Sequence, residues 1–176
     1  NSVRAIIVDT KDGKICGSQV YAYAHGDMGV IGDVKDPNVA RQHPADYLEG
    51  LKLTVRGAIL EAGVEPAKVV GIGVDATAST PLPVDTQGQA LALTDAFVEN
   101  PDAMAWLWKD HSSHVEANEI TAKAAELRPE YLAKCGGTYS SEWYWSKVLH
   151  CARVAPKVYA CLLYTSDAAD EVAWGG

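Results

Sequence analysis

No apolar run in this sequence approaches the ~20 residues that a membrane-spanning helix needs. Basic residues are in short supply, 15 Lys and Arg against 23 Asp and Glu, and the net charge of −8 provides no basic stripe for a nucleic-acid surface. It leaves room for a small phosphate-bearing ligand, which needs only a few local donors. Cysteine is sparse too. Cys16, Cys135, Cys151 and Cys161 are far apart with no C-x-x-C pair, which favours reduced thiols over a disulfide framework or a zinc site. Cys135 and Cys151 have no identifiable base partner, so neither reads as a nucleophile. There is no G-x-S-x-G elbow and no G-x-x-x-x-G-K-[ST] phosphate loop. If ATP is handled here, another architecture handles it.

What is present is a globular composition, 48% hydrophobic and 22% charged over 176 residues, enough for one domain with an appendage. Residues 3–8 predict a strand, Lys11-Asp12-Gly13-Lys14 a tight hairpin turn, and residues 15–23 the returning strand. Residues 24–42 lack a period and read as a long loop. From Pro44 a helical stripe of Tyr47, Leu48, Leu51, Val55, Ala58, Ile59 and Ala62 runs to Gly63, a C-terminal cap. Val69, Val70, Ile72 and Val74 predict a short strand buried on both faces, so helix followed by strand gives an α/β architecture. Asp85-Thr86-Gln87-Gly88 predicts another turn. Ser113 with Glu116 is a capping-box pattern opening a helix over 115–127. Gly136-Gly137 marks a turn, and a helix runs over about 142–153 to a stop near Pro156.

Two loops carry candidate chemistry. The buried strand delivers Asp75 and then a slim polar run from Ala76 to Thr80, either a ligand floor beyond a strand end or a turn joining strands. The run Trp106-Leu107-Trp108-Lys109-Asp110-His111 combines a tryptophan face, which packs on the C–H face of a sugar, with an amine and a carboxylate for its hydroxyls. The other reading is an aromatic anchor with solvated charges. Tyr139, Glu142 and Trp143 stand near a helix start, beside the same pocket or in the core; for Trp143 and Trp145 the core reading prevails. His111 and His114 with Asp110 lack the context of known zinc patterns and read as surface histidines. Gly71-Ile72-Gly73 lies within the strand, so it is no dinucleotide fingerprint.

Three segments, GVDATASTPLPVD (73–85), ENPDAMAWLWKDH (99–111) and GGTYSSEWYWSKVLH (136–150), in order and at natural spacing, resemble the amino-terminal domain of the FGGY carbohydrate kinases, in the branch that acts on L-ribulose. The resemblance runs from Asn1 to about Ala160. It implies an α/β, ribonuclease-H-like domain of the actin/Hsp70 ATPase type with a mixed sheet, here incomplete. It also implies transfer of the ATP γ-phosphate to the 5-hydroxyl of L-ribulose in L-arabinose breakdown, with ATP and Mg2+ as cofactors of a full-length cytoplasmic enzyme that allows a homo-oligomer. Neither nucleic acid nor membrane is an expected partner. Ser2 and Arg4 match the end of the family's first phosphate motif, whose earlier Asp, Gly and Ser/Thr are absent. Ala78 and Ser79 stand where glycerol kinases carry an Arg-Glu pair, a smaller floor suited to a ketopentose. Trp108 and Tyr139 match substrate-contacting positions, and Lys109 and Asp110 belong to the same loop motif. The family's base aspartate lies beyond residue 160, so no catalytic residue and no metal ligand is assigned. Residues 161–176 have no family counterpart and resemble a translated adapter, so residues 1–160 are expected to be a partial kinase domain with a foreign tail. Another pentulose or pentitol kinase, such as one for D-ribulose or xylulose, and a degenerate binding module are the alternatives.

Overall fold

The computed structural model describes residues 1–162, so the expected foreign tail lies, from residue 163 on, outside the described residues. The chain divides into two compact units, Asn1–Val30 with His43–Ala76, and Ile31–Gln42 with the chain from Thr77 onward.

The first unit is a hairpin with a helix on it. Strands β1 (Ser2–Val8) and β2 (Ile15–Ala22) pair antiparallel, Ser2 opposite Ala22 and Arg4 opposite Val20, with an irregularity between Ile7 and Val8. The turn closes as Asp12-Gly13 predicts: Asp9 N–H donates to Lys14 O at 2.9 Å, and Gly13 takes a left-handed φ of +73°. Helix α1 (Pro44–Ala62) starts from His43, whose Nδ1 accepts the Ala45 N–H at 3.2 Å, and ends at Gly63 with φ +62°.

The helix is where the sequence places it, but only part of the expected stripe turns inward: Ala58 is buried and Tyr47, Ile59 and Ala62 are half-buried. Pro44, Asp46, Gly50, Thr54 and Ala58 are buried, whereas Leu48, Leu51 and Val55 of the expected stripe are 60%, 53% and 38% exposed. The cause is close approach. A Cβ on Gly17 would sit 2.3 Å from Ala58 O, and one on Gly50 would sit 2.4 Å from Val3 Cγ1. Only a face of small residues fits at that separation, so the large aliphatics turn outward.

The expected buried strand over 69–74 is also corrected. It pairs with no strand among the described residues, and Val70, Ile72 and Val74 are 83%, 88% and 87% exposed. An apolar run becomes a strand only when a neighbour satisfies its backbone. Gly71 and Gly73, with nothing within 4 Å of a would-be Cβ, add no packing of their own. The sheets described are accordingly two antiparallel pairs, not the expected mixed sheet.

The second unit is built on a minimal sheet, β3 (Arg41–Gln42) against β4 (Ala105–Trp106), with Ile31 bridging Arg41. Both stretches lie in segments that read as loops. On its other side β4 is tied to residues 81–83 by Trp106 N–H donating to Pro81 O at 2.9 Å. The Asp85–Gly88 turn forms, with Val84 bridging Ala90, and a 3₁₀ turn at Leu91–Leu93 follows. Helices α2 (His114–Leu127), α3 (Pro129–Lys134), α4 (Tyr144–Val154) and α5 (Pro156–Ala160) complete it, α3 and α5 being unforeseen from the sequence. The core gathers Leu91, Ala92, Ala103, Met104, Trp106, Cys151, Ala155 and Val158, and burial pushes the Cys151 thiol up to about 11, which keeps it unreactive.

Two local expectations change. Ser113 does precede α2, but its hydroxyl donates to Ser141 O at 2.9 Å instead of capping. Glu116 is buried against α4, bonding His150 Nδ1 at 2.9 Å and Arg153 at 3.2 Å, so it serves helix–helix contact while Ser113 holds the turn before α4. Trp145 is 49% exposed rather than in the core, since α4 directs Ser146, Lys147 and Cys151 inward.

Candidate functional site

The sugar-site candidates all belong to the second unit, and a short set of hydrogen bonds gathers several of them. The turn after the exposed segment holds Ala78, exposed, and Ser79, half-buried. Ser79 has a φ of +53°, a left-handed conformation that costs a non-glycine residue roughly 1–2 kcal/mol. Thr80 fastens this turn to the tryptophan loop: its Oγ1 accepts the Trp108 N–H at 3.1 Å and donates to Ala78 O at 3.3 Å. Trp108, 47% exposed, is thus joined through its backbone to a turn of small side chains.

The tryptophan loop divides its labour. Trp106 is the anchor, 2% exposed, with its Nε1 donating to Asp102 O at 3.0 Å and the Arg41 guanidinium 3.5 Å from its ring centroid. Trp108 is the aromatic left open. Lys109 is exposed beside it, while Asp110 points inward and is completely buried. One Asp110 oxygen accepts from Arg41 Nη1 and from the Ala40 N–H at 2.6 Å; the other accepts from Ser112 N at 3.1 Å and Ser112 Oγ at 2.6 Å. A carboxylate so engaged holds the loop from beneath. Burial pulls the Arg41 guanidinium down to about 10, with Asp102 opposing, so it stays charged at neutral pH. Arg41 Nε is buried without a hydrogen-bond partner among the described residues.

Tyr139 packs edge-on against Trp143 at 4.9 Å between centroids, and its hydroxyl accepts the Trp145 N–H at 3.1 Å in the first turn of α4. The same turn carries Lys147, 1% exposed, whose Nζ donates to Ser79 O and Leu107 O at 2.8 Å each and to Trp108 O at 3.4 Å. Lys147 and Arg41 were missed by the sequence reading, which held Thr80 only as the end of the slim polar run. For Lys147 the available signal was its position one helical turn after Trp143, on the inward face of α4. His111 bonds Ser141 Oγ through Nδ1 at 2.9 Å and stands 3.7 Å from Glu142, which gives it a local structural role.

Ser2 and Arg4 belong to the first unit, two residues apart on β1 and both exposed, so they share a face that a phosphate can approach. Among the described residues no group of three His, Cys, Asp or Glu side chains is placed to hold a metal ion. A shallow depression over Asp95–Asn100 contains none of the candidates.

The fold is shared with carbohydrate kinases. A crystal structure of a xyloylose kinase from Brucella ovis superposes on 92% of this chain with a TM-score of 0.69 at 19% identity, using 28% of its own length. In sequence, the chain is 34% identical over 177 residues to the ribulokinase of Bacillus licheniformis, covering 98% of this chain. It is 36% identical to that of Mycolicibacterium smegmatis over 98% of the chain and 38% identical to that of Geobacillus thermodenitrificans over 90%. The chain belongs to the ribulokinase family and spans about a third of the length of the relatives it matches. No family model matches it.

Proposed function

We propose that this segment is the sugar-binding side of an ATP- and Mg2+-dependent ribulokinase, which transfers the γ-phosphate of ATP to the 5-hydroxyl of L-ribulose in the cytoplasm. The observation that carries the reading is the joining of the Ala78–Thr80 turn to Trp108 through the Thr80 hydroxyl. A tryptophan face beside a floor of alanine and serine offers stacking area and no bulky group to exclude a five-carbon chain. Tyr139 and Lys109 border it, and Asp110 acts through the loop it fixes. The finer fold we assign is ribonuclease-H-like, of the actin/Hsp70 type, with residues 1–160 contributing part of one such domain.

Phosphoryl transfer is mainly positioning and charge neutralisation, and this chain's share is to orient the ketose. Ser2 and Arg4 fit a phosphate contact, being exposed donors on one strand face. Magnesium is supplied with ATP, and none of the described residues is assigned to it.

The test is ligand-observed NMR of this chain with millimolar L-ribulose, D-ribulose, xylulose, ribitol and glycerol. L-ribulose is expected to bind, and Trp108→Ala to weaken it about tenfold, the value of one lost aromatic face. Glycerol binding in place of the ketopentoses would overturn the assignment. Preference for xylulose would move it to a sibling kinase, a reading favoured by the structural neighbour.

A further inference from the structure

Lys147 is a buried ammonium on a helix that carries no candidate sugar contact of its own, yet its nitrogen bonds carbonyls from two different loops. An ammonium has three donors, and Ser79 O, Leu107 O and Trp108 O receive them. Ser79 O lies on the turn with the left-handed φ of +53°, and Trp108 O on the open tryptophan itself. Since Ser79 O and Leu107 O are each 2.8 Å from one nitrogen, neither loop can shift outward without leaving a buried donor unpaired. A non-glycine residue held at positive φ persists only where its surroundings over-determine it, and here the restraint on its carbonyl is this lysine. The base of the arm is held as well, because the single Ser146 hydroxyl proton lies between Trp143 O at 2.8 Å and Ser140 O at 3.1 Å.

We propose that Lys147 is a positioning residue that sets the gap between the Ala78–Thr80 turn and Trp108, and so the width of the slot that receives the sugar. This rests on the reading that those two loops form the sugar site. The Thr80 hydroxyl latches the loops from one side, and the lysine fixes how far apart they stand. Methionine fills a similar volume with no donors, so Lys147→Met removes the tether with little change in packing.

Amide hydrogen exchange and L-ribulose binding, measured together on the 176-residue chain, test this. In Lys147→Met, exchange is expected to accelerate at Ser79, Thr80, Trp108 and Lys109 while α2 keeps its protection. L-ribulose affinity is expected to fall at least about tenfold, the loss of one charge-assisted hydrogen bond. Lys147→Arg, which retains charge and donors, is expected to recover part of both. The fluorescence maximum of Trp108, isolated by comparison with Trp108→Phe, is expected to shift red in Lys147→Met and less so in Lys147→Arg. Uniform acceleration across the second unit, or unchanged affinity in a folded Lys147→Met, overturns the proposal. If Lys147→Met does not fold, Lys147→Arg is compared with Lys147→Gln, and identical exchange and affinity in the two overturn it. Failure of the unaltered chain to bind L-ribulose refutes the sugar reading and with it the slot, while exchange confined to the two loops still upholds the tether.

Discussion

At the residue scale, the run from Trp106 to Asp110 shows how one short motif supplies both an anchor and an opening. Trp106 and Asp110 are the buried pair, joined through Arg41, and Trp108 is left outward between them. Breaking a buried ion pair by deleting one partner is far costlier than the pair is stabilising, because the remaining charge has no solvent. Asp110→Ala is therefore expected to cost about 3–5 kcal/mol in urea unfolding of the second unit, with Arg41 left only its longer 3.4 Å pair to Asp102. A loss below about 1 kcal/mol would show that the carboxylate is solvated and open to ligand instead.

At the element scale, the sequence was informative wherever a local rule sufficed. The Asp12-Gly13 turn, the run of α1 from Pro44 to its Gly63 cap and the paired glycines at 136–137 are short-range chemistry, and each stands where expected. What local rules do not contain is the partner of an element. Leu48, Leu51 and Val55 of the α1 stripe face outward because Gly17, Gly50 and Gly57 bring helix and hairpin together, a fact that exists only once both are placed. The pairing of Arg41–Gln42 with Ala105–Trp106, the bonds of Lys147 to Ser79 O and Leu107 O and the unpaired 69–74 run are long-range in the same sense. Slim and aromatic loops were visible as residue types; the atoms holding them together were not.

The start of α1 also carries a pH dependence. His43 Nδ1 must be unprotonated to accept the Ala45 N–H, and burial, then nearby His25, lower its pKa from 6.5. Burial raises the neighbouring Asp46 carboxyl, but hydrogen bonds from His25 outweigh it and leave the pKa below 3.8. For both groups the unfolded state binds protons more readily, so stability is greatest above each unfolded value and falls with acidification. The first unit is expected to weaken as pH drops below 6.5 through the lowered His43 value, and again below 3.8. Thermal midpoints of wild type and His43→Asn from about pH 2 to 8 check this, since asparagine caps without titrating. A wild-type midpoint that is flat over that span, or a variant with the same slope, refutes it.

At the scale of the whole molecule, the second unit is discontinuous in sequence. Residues 31–42 enter it ahead of α1, and the rest follows only after the apolar connector at 69–76. Arg41, at 2% exposure, is sealed into that unit by Asp110, Asp102 and Trp106. A protease that cuts before aliphatic residues should find Val70, Ile72 and Val74 first, given their exposure. A denaturing gel is then expected to show two bands, while native size exclusion shows one peak. Two separate peaks would mean that the 31–42 strip is loosely held. The same threading makes the chain a natural split reporter: polypeptides ending and beginning near residue 72, expressed apart, should reassemble as complementing halves with Arg41 as their rivet.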